Sequence, residues 1–403
     1  MVLDLAYGSR ATQNVAFDQN TGIIDAFGRL RTSEPQTLFS DRAYYENPCA
    51  WDKATVGDGA VTSTNSRNSS TIQLSVGTGA TDSAFRQTRE RVIYQPGKSQ
   101  QILMTFVMEP TALVTQRVGY FSIKDGIYIE NDSINTSFVV RSNSTGSITE
   151  ERIIQSNWNI DKMDGTGPSK MTLDISKAQL MIIDFEWLGV GSVRVGFIID
   201  NKIVYVHEFM HANVEIRTYM GHGSLPCRYE IFNTGTSVGA ALNIICAAVT
   251  SEGGHQIVGN INTADSGTTA KTSAVGVTIP LVSFRLNPIS LNAALRILSA
   301  SIFVTSNNQA YFRLIFNGTL TSPVWTNIGS ISQFDNSATA ITGGTVLHSV
   351  IGGSKSGSED DFNKLENLLG FGIDDTPDHY TITATSVGGN VNLFSTVNFV
   401  EFY

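Results

Sequence analysis

The sequence predicts a mostly β protein. We expect a large β-sandwich or jelly-roll-like domain, with an extended N-terminal arm before it and a smaller C-terminal β domain containing one short helix after it. Three observations predict this class: many segments alternate apolar and polar residues with a period of two, turn residues separate those segments at short intervals, and only one segment has a helical pattern. Closely spaced strands of this kind favour a sandwich over alternating helices and strands.

The composition agrees with a folded chain that buries a sizeable core. Of the 403 residues, 41% are hydrophobic and 16% are charged, whereas an average globular protein has roughly 25% charged residues. The net charge of −9 repels phosphate backbones, so we expect no nucleic-acid partner. We also expect no membrane insertion, because long apolar runs are missing, and no signal peptide, because the first residues lack a basic region.

Residues 1–40 are predicted to form an extended docking arm. Few apolar residues follow one another there and turn signals such as Phe27-Gly28 recur, so the segment cannot build a core of its own. We expect it to lie on another surface or on a neighbouring chain, where its charged groups form charge-assisted hydrogen bonds. The predicted assembly contacts are Asp25, Phe27, Arg29 and Arg31.

Residues 41–286 are predicted to form the large sandwich. Thr71–Val76 alternates in the way a half-buried strand does. Tight hairpins are predicted at Lys124–Gly126 and at Asp200–Lys202, because Asp, Asn and Gly accept the positive φ that such turns need. The regular succession of strands and turns indicates one continuous β domain up to residue 286.

Residues 287–403 are predicted to form the smaller β domain. A polar passage, Ser251–Ser273, is interpreted as a long loop before it. Gln309–Phe316 is a clear strand, and the apolar run Val391–Tyr403 is interpreted as a buried last strand. The predicted helix covers Ser358–Gly370, where apolar residues recur at helical spacing between a Ser cap and a final Gly.

The sharpest motif is His207–His211 (HEFMH), which matches the His-Glu-x-x-His pattern of zinc metalloproteases. On a helix, this spacing places both imidazoles on one face to bind zinc. The flanking residues alternate as strands do, and in a strand roughly 13 Å separates His207 from His211, which is too far for one ion. We therefore predict no metal site and no cofactor, with a zinc set of His207, His211 and Glu230 as a further hypothesis.

Other candidate chemistry is weaker. Asp374, Asp375 and Asp378 offer oxygen ligands for a hard cation, but they match no defined calcium loop, and a turn is the better interpretation. Glu186, beside Trp187, is a candidate for one carboxylate of a glycoside-cleaving pair, whose separation the sequence does not give.

Several stretches resemble virion structural proteins of tailed bacteriophages. These stretches are Ile24–Arg31 (IDAFGRLR), Tyr94–Gln100 (YQPGKSQ), Asp184–Gly191 (DFEWLGVG), His207–Asn213 (HEFMHAN) and Arg228–Ile231 (RYEI). The resemblance implies a virion component whose residues are architectural, and it does not specify a position on the head or on the tail.

We therefore expect a non-enzymatic virion structural protein, made in the host cytoplasm, that docks on the head or tail as a decoration, fibre or connector component. Its expected partners are other virion proteins, and many copies docked at symmetry-related sites would add weak contacts. A closed homo-oligomer, with a trimer favoured, would bury the arm and the sheet edges. One alternative is a receptor-binding adhesin that holds host surface glycans with loops of residues 287–403. A second alternative is a zinc metalloprotease that uses His207, Glu208 and His211.

Overall fold

In a computed structural model, the chain forms two β-sandwiches that follow one another along the sequence. The structure describes residues 22–57, 61–254, 259–353, 355, 357–362 and 368–403. Strands account for nearly all regular structure in these ranges, and one 3-10 turn covers Gln155–Asn157. No helix in the same ranges is long and apolar enough to cross a lipid bilayer. The predicted mostly β class is confirmed.

The first sandwich contains strands β1 to β15. Their bounds are β1 Pro35–Arg42, β2 Trp51–Val56, β3 Thr62–Ser66, β4 Thr71–Val76, β5 Ser83–Thr88, β6 Gln100–Met108, β7 Val114–Phe121, β8 Gly126–Asn131, β9 Thr136–Ser142, β10 Thr149–Ile154, β11 Gln179–Phe185, β12 Val193–Ile199, β13 Lys202–Phe209, β14 Cys227–Asn233 and β15 Ala240–Glu252. One sheet has the order β13-β12-β11-β6-β15-β4-β3, with β1 also paired to β15, and the other has the order β10-β9-β8-β7-β14-β5-β2.

The core of the first sandwich lies between these two sheets. On β4, Ile72, Leu74 and Val76 are buried while the residues between them are half-buried, as a period of two requires. Phe138 on β9 and Phe197 on β12 bring their ring centroids to 6.0 Å across the space between the sheets. Tilted aromatic pairs at this separation are favourable beyond the area that they bury.

The second sandwich contains strands β16 to β28. Their bounds are β16 Asn260–Asp265, β17 Lys271–Ser273, β18 Thr278–Leu286, β19 Ala294–Val304, β20 Gln309–Phe316, β21 Thr319–Thr321, β22 Thr326–Ile328, β23 Ser332–Asp335, β24 Ala340–Thr342, β25 Thr345–Gly352, β26 Gly357–Asp361, β27 His379–Val387 and β28 Val391–Phe402. One sheet has the order β16-β28-β19-β26 with β17 beside β28, a second has the order β22-β23-β18-β27-β20-β25, and β21 pairs with β24.

The two larger sheets of the second sandwich also pack face to face. Phe284 on β18 and Phe399 on β28 stack with their ring centroids 4.9 Å apart. Leu295, Leu314 and Ile382 belong to the same buried cluster. Each sandwich therefore has a separate hydrophobic core, which is the property that makes them two units.

The predicted boundary at residue 286 is wrong. The first sandwich ends with β15 at Glu252, and β16, β17 and β18 all pair with strands of the second sandwich. The predicted loop Ser251–Ser273 therefore contains two strands. Its Thr, Ser and Asn residues occupy the edge of a sheet, where most side chains face solvent, so few apolar residues are needed there.

The predicted helix Ser358–Gly370 does not begin at Ser358. The backbone of Gly357–Asp361 forms β26, which pairs with β19. The pairing continues at Phe362, whose amide donates a hydrogen bond to the Leu298 carbonyl at 2.8 Å. The edge of β19 supplies backbone partners that local helical spacing cannot reveal, and residues 363–367 lie outside the described ranges.

Paired charges join the two sandwiches. The guanidinium of Arg89 donates to Asp378 at 2.7 Å and to Asp52 at 2.9 Å. Arg91 donates to Asp375 at 2.7 Å. Asp375 and Asp378 belong to the second sandwich, so the Asp-Asp-Thr-Pro-Asp motif contacts arginines of the first sandwich.

Replacing Arg89 should destabilise the contact between the sandwiches. Arg89→Ala leaves Asp378, which is 3% exposed, without its guanidinium partner. Removing one partner of a buried ion pair costs about 3 kcal/mol or more, so we expect the urea midpoint to fall. Arg67→Ala is the matched control because Arg67 is exposed. Equal midpoints for the two variants would contradict the importance of this contact.

Candidate functional site

The described part of the predicted arm folds back on its own chain. Ile24 pairs with Leu30, and the turn between them is closed by a hydrogen bond from the Asp25 amide to the Arg29 carbonyl at 2.8 Å. Gly28 lies at the turn with a φ of 74°, a conformation that glycine adopts without strain. Beyond this turn, β1 is a strand of the first sandwich, so the predicted extended arm does not reach residue 40.

The four predicted contact residues have partners inside the chain. Asp25 accepts hydrogen bonds from the Arg29 amide and from its guanidinium, both at 2.8 Å. The same guanidinium lies 4.3 Å from the Phe27 ring centroid, in cation–π contact. Arg31 reaches away from this turn and pairs with Asp184 and Glu252. Their role in assembly stays a prediction.

Asp184 is the centre of a buried polar cluster beneath this turn. Its carboxylate is 0% exposed and accepts from Arg194 at 2.6 Å, from the Tyr205 hydroxyl at 2.8 Å and from the Ser99 hydroxyl at 2.6 Å, in addition to Arg31. We call Asp184 and these four partners the Asp184 cluster. Burial, with Asp184 beside it, raises the pKa of Tyr205, so this phenol stays a hydrogen-bond donor.

The Asp184 cluster attaches the N-terminal segment to the sheet. Arg194 donates to the Ile24 carbonyl at 2.6 Å as well as to Asp184. The sequence pattern indicates Arg31 as a contact residue but does not indicate the residues that bind it. A usable signal was Asp184 itself, because a single carboxylate within the apolar run Met181–Phe185 requires a buried cationic partner.

The HEFMH segment is not helical. His207 and Glu208 lie on β13, which pairs with β12 across the predicted Asp200-Asn201 turn. The strand interpretation is confirmed for His207–Phe209, and His211 lies in the loop beyond the strand. His207 Nδ1 accepts a hydrogen bond from the Asn159 amide at 3.2 Å, and the Asn159 side chain pairs with the Glu208 backbone. Residues near Asn159 thereby cover the exposed edge of β13.

The zinc hypothesis fails on this geometry. Glu230 lies on β14 in the opposite sheet and is bound by Arg228 at 2.6 Å and by Arg117 at 3.2 Å. Burial opposes the ionisation of Glu230, but the two arginines outweigh it and lower its pKa. Among the described residues, no group of three or more His, Cys, Asp or Glu is placed to hold a metal ion.

Glu186 is the carboxyl group with the most unusual environment near the Asp184 cluster. Burial raises its pKa, and the carboxylates of Asp25 and Asp184 add to this while the Ser192 amide opposes it. The Ser192 amide donates to Glu186 Oε1 at 3.0 Å. Two-carboxylate hydrolysis needs a second free carboxylate. Asp184, two positions before Glu186, is bound by two guanidinium groups and is therefore not free. The next position on the same face of β11 is Ile182, which has no carboxylate.

A cleft of about 320 Å³ opens between the β9–β10 hairpin and the loop after β13. His211 lies in its wall, and its ring stacks on Tyr219 with centroids 3.9 Å apart and planes within 2°. His211 Nδ1 is 2.6 Å from the Gly191 carbonyl. His211 lies in the loop after β13, so the structure separates it from His207 on the strand.

No family model matches the sequence, and no curated protein matches it. Solved structures with similar chain paths include a lichenase from a mouse hindgut metagenome, with 14% identity and a TM-score of 0.35 over 52% of this chain and 97% of the lichenase. Another is the carbohydrate recognition domain of Emp47p, with 10% identity and a TM-score of 0.34 over 55% of this chain and 97% of that domain. A third is a legume lectin-like domain from Entamoeba histolytica, with 10% identity and a TM-score of 0.30 over 53% and 96%. The assignment of a β-sandwich therefore rests on the sheet pairings of the chain itself.

Arg31 should contribute more to stability than an exposed arginine does. Arg31→Ala removes one of two guanidinium groups from the fully buried Asp184, which should cost about 3 kcal/mol. Arg67→Ala is the matched control, because Arg67 is exposed, and an exposed charged group contributes at most about 1 kcal/mol. Urea unfolding measures the free energy of unfolding of both variants. Equal losses of stability would show that the Asp184 cluster does not hold the part of the chain around Arg31 on the sheet.

His207 should make stability depend on pH. Burial lowers its pKa from 6.5 to about 4 in the folded chain, so folding favours the neutral ring. The stability it contributes is complete above its unfolded pKa and is lost as the pH falls from 6.5 towards 4. His207→Gln keeps a hydrogen-bond acceptor that does not titrate, so unfolding at about pH 7 and pH 5 should show a weaker pH dependence for the variant. An unchanged pH dependence would contradict this assignment.

Proposed function

We propose that this chain is a non-enzymatic structural component of a tailed-phage particle. It docks on the head or the tail through several copies, as a closed homo-oligomer with a trimer favoured. Its partners are other virion proteins. Two observations support it: several stretches resemble virion structural proteins of tailed phages, and buried carboxylates are paired with arginines.

The observation that carries the proposal is the pairing of two buried carboxylates, Asp184 and Glu230, with structural arginines. Asp184 is bound by Arg31 and Arg194, and Glu230 is bound by Arg117 and Arg228. Carboxylates held in this way connect strands and are not available as a base or nucleophile. The two carboxylates beside Glu186, Asp25 and Asp184, are both bound by arginines, which favours a mechanical role over glycoside hydrolysis.

An apolar patch offers a surface for docking. Two loops at one end of the first sandwich contact each other, since the Tyr219 amide donates to the Gly189 carbonyl at 2.8 Å. They carry five exposed apolar side chains, Leu188, Val190, Met210, Val214 and Ile216. Clustered exposed apolar residues are typical of protein interaction sites. We propose that a neighbouring virion protein covers this patch.

The second candidate function is an adhesin that binds host surface glycans. Two recesses support it. One is a groove of about 390 Å³ on the second sandwich, within the predicted residues 287–403, where Phe303 is 47% exposed beside Phe394. The other is the cleft that contains His211. Pockets that hold small ligands have volumes of about 300–1,000 Å³.

Purified particles of the phage that encodes this chain should contain it at a fixed copy number. Met210→Asp/Ile216→Asp should lower that copy number at least about tenfold, because each substitution places a charge in an apolar contact. Ile134→Asp is the matched control, since Ile134 is 86% exposed on another turn of the same sandwich. Quantitative mass spectrometry of gradient-purified particles measures the copy number of the wild-type chain, of the double variant and of the Ile134→Asp control. Particles that lack the wild-type chain would overturn the structural role.

A further inference from the structure

The outer face of the β16-β28-β19-β26 sheet carries two aromatic side chains on its two central strands. Phe303 on β19 lies directly opposite Phe394 on β28. Phe303 is 47% exposed and Phe394 is half-buried. The residues that alternate with them, such as Ile302 and Leu393, are buried in the core. Opposite residues of antiparallel strands share one face, so the two rings form an apolar floor that solvent reaches.

A groove of about 390 Å³ lies over this floor. Gly357 on the neighbouring strand β26 lies opposite Phe303. A Cβ atom at position 357 would lie 3.4 Å from Phe303 Cδ2, so the glycine leaves the space beside the ring open. The volume is sufficient for a small ligand, since pockets for such ligands measure about 300–1,000 Å³.

The row of side chains next to the rings consists of Ser301 and Thr396, which we call the free row. They lie opposite each other, line the groove and are half-buried. Neither hydroxyl has a hydrogen-bond partner among the residues that the structure describes, and solvent reaches both. Two hydroxyl groups thus face the groove with their donor and acceptor capacity unused.

The polar rows on either side of the rings and the free row are paired within the chain. Asn392, two residues before Phe394, accepts a hydrogen bond from Thr272 at 2.7 Å. Asn398, on the other side, accepts from Thr263 at 2.8 Å and donates to Ser299 at 3.0 Å. Over this face, the described side chains therefore satisfy one another except in the free row, where a ligand can supply the missing partners.

An apolar floor beside free hydroxyl groups fits a neutral sugar unit. A sugar ring presents a face of C–H groups that packs on aromatic rings, and hydroxyl groups at its rim that both donate and accept hydrogen bonds. An apolar protein surface would cover Ser301 and Thr396 without giving them partners, at a cost in free energy. Asp265 lies opposite Thr396 on β16, and its carboxylate disfavours phosphate, sulfate or an acidic sugar.

We propose that this groove binds a neutral sugar unit of a glycan, whose C–H face stacks on the two rings while its hydroxyl groups pair with the free row. The inference rests on the second candidate function and gives it a ligand class and a site. The cleft that contains His211 is the other recess that supports that function, so variants of the groove decide between the two locations.

The test applies the purified full chain to a printed array of neutral and acidic bacterial oligosaccharides and titrates the brightest neutral one. Phe303→Ala removes one ring of the floor and should lower the affinity about tenfold. Ser301→Ala/Thr396→Val removes both free hydroxyl groups with little change of volume and should lower the affinity to a similar extent. Gly357→Val keeps the rings and the hydroxyl groups but fills the groove, so binding should be lost.

Two matched controls lie in the same sandwich. Tyr311→Ala removes an aromatic side chain that is 38% exposed on the other large sheet. Thr272→Val removes a threonine hydroxyl that is already paired on the groove face. Both variants should bind as the wild type does. Gly357 is exposed, and valine suits a strand, so Gly357→Val keeps the test valid if another groove variant does not fold.

Each outcome decides a different point. Loss of binding in the groove variants with binding retained in both controls supports the site. Binding retained in the groove variants, or tighter binding of acidic oligosaccharides, overturns the proposed site and leaves the adhesin function standing. A wild-type chain that binds no sugar on the array overturns both. A lower copy number of Phe303→Ala in purified particles, without a sugar signal, would identify the face as a protein contact and would also overturn the sugar site.

Discussion

A carboxylate that is completely removed from water must be neutralised where it lies, and Asp184 imposes this constraint on the first sandwich. The free-energy penalty for burying an ion is several kcal/mol, and hydrogen bonds and an opposite charge must offset it. Two guanidinium groups and two hydroxyl groups do so here. One of the guanidinium groups belongs to Arg31, so the part of the chain around Arg31 is required to lie on the sheet.

The same constraint applies at two other places, between neighbouring strands of one sheet and between the two sandwiches. Glu230 connects β14 to β7 through Arg117, and Arg89 connects the two sandwiches through Asp378 and Asp52. Charged residues are scarce at 16% of the chain, yet many are buried in such pairs. Buried pairs depend on geometry more than hydrophobic contacts do, because a small displacement leaves a charge without a partner. Pairs of this kind hold the strands that they join in fixed relative positions.

The two histidines of the HEFMH segment illustrate how backbone geometry decides chemistry. A helix would bring both rings to one ion, but β13 places His207 on Asn159, and the loop beyond it places His211 on Tyr219. His207 accepts a hydrogen bond that covers a strand edge. His211 Nδ1 contacts the Gly191 carbonyl, and its Nε2 is buried without a partner. The same residue type thus contacts a strand edge at one position and an aromatic ring in a loop at the other.

The sequence by itself determined the β class, strands such as Thr71–Val76 and the hairpin turns, because alternation and turn chemistry are local properties of a few consecutive residues. It also singled out Arg31 and the aspartates after residue 370. Only the tertiary structure decided which carboxylates these charges meet, that β16 to β18 belong to the second sandwich, and that Gly357–Asp361 pairs as a strand. Those features depend on contacts with residues far away in the sequence. The spacing of apolar and polar residues within one segment does not report the free energy of such contacts.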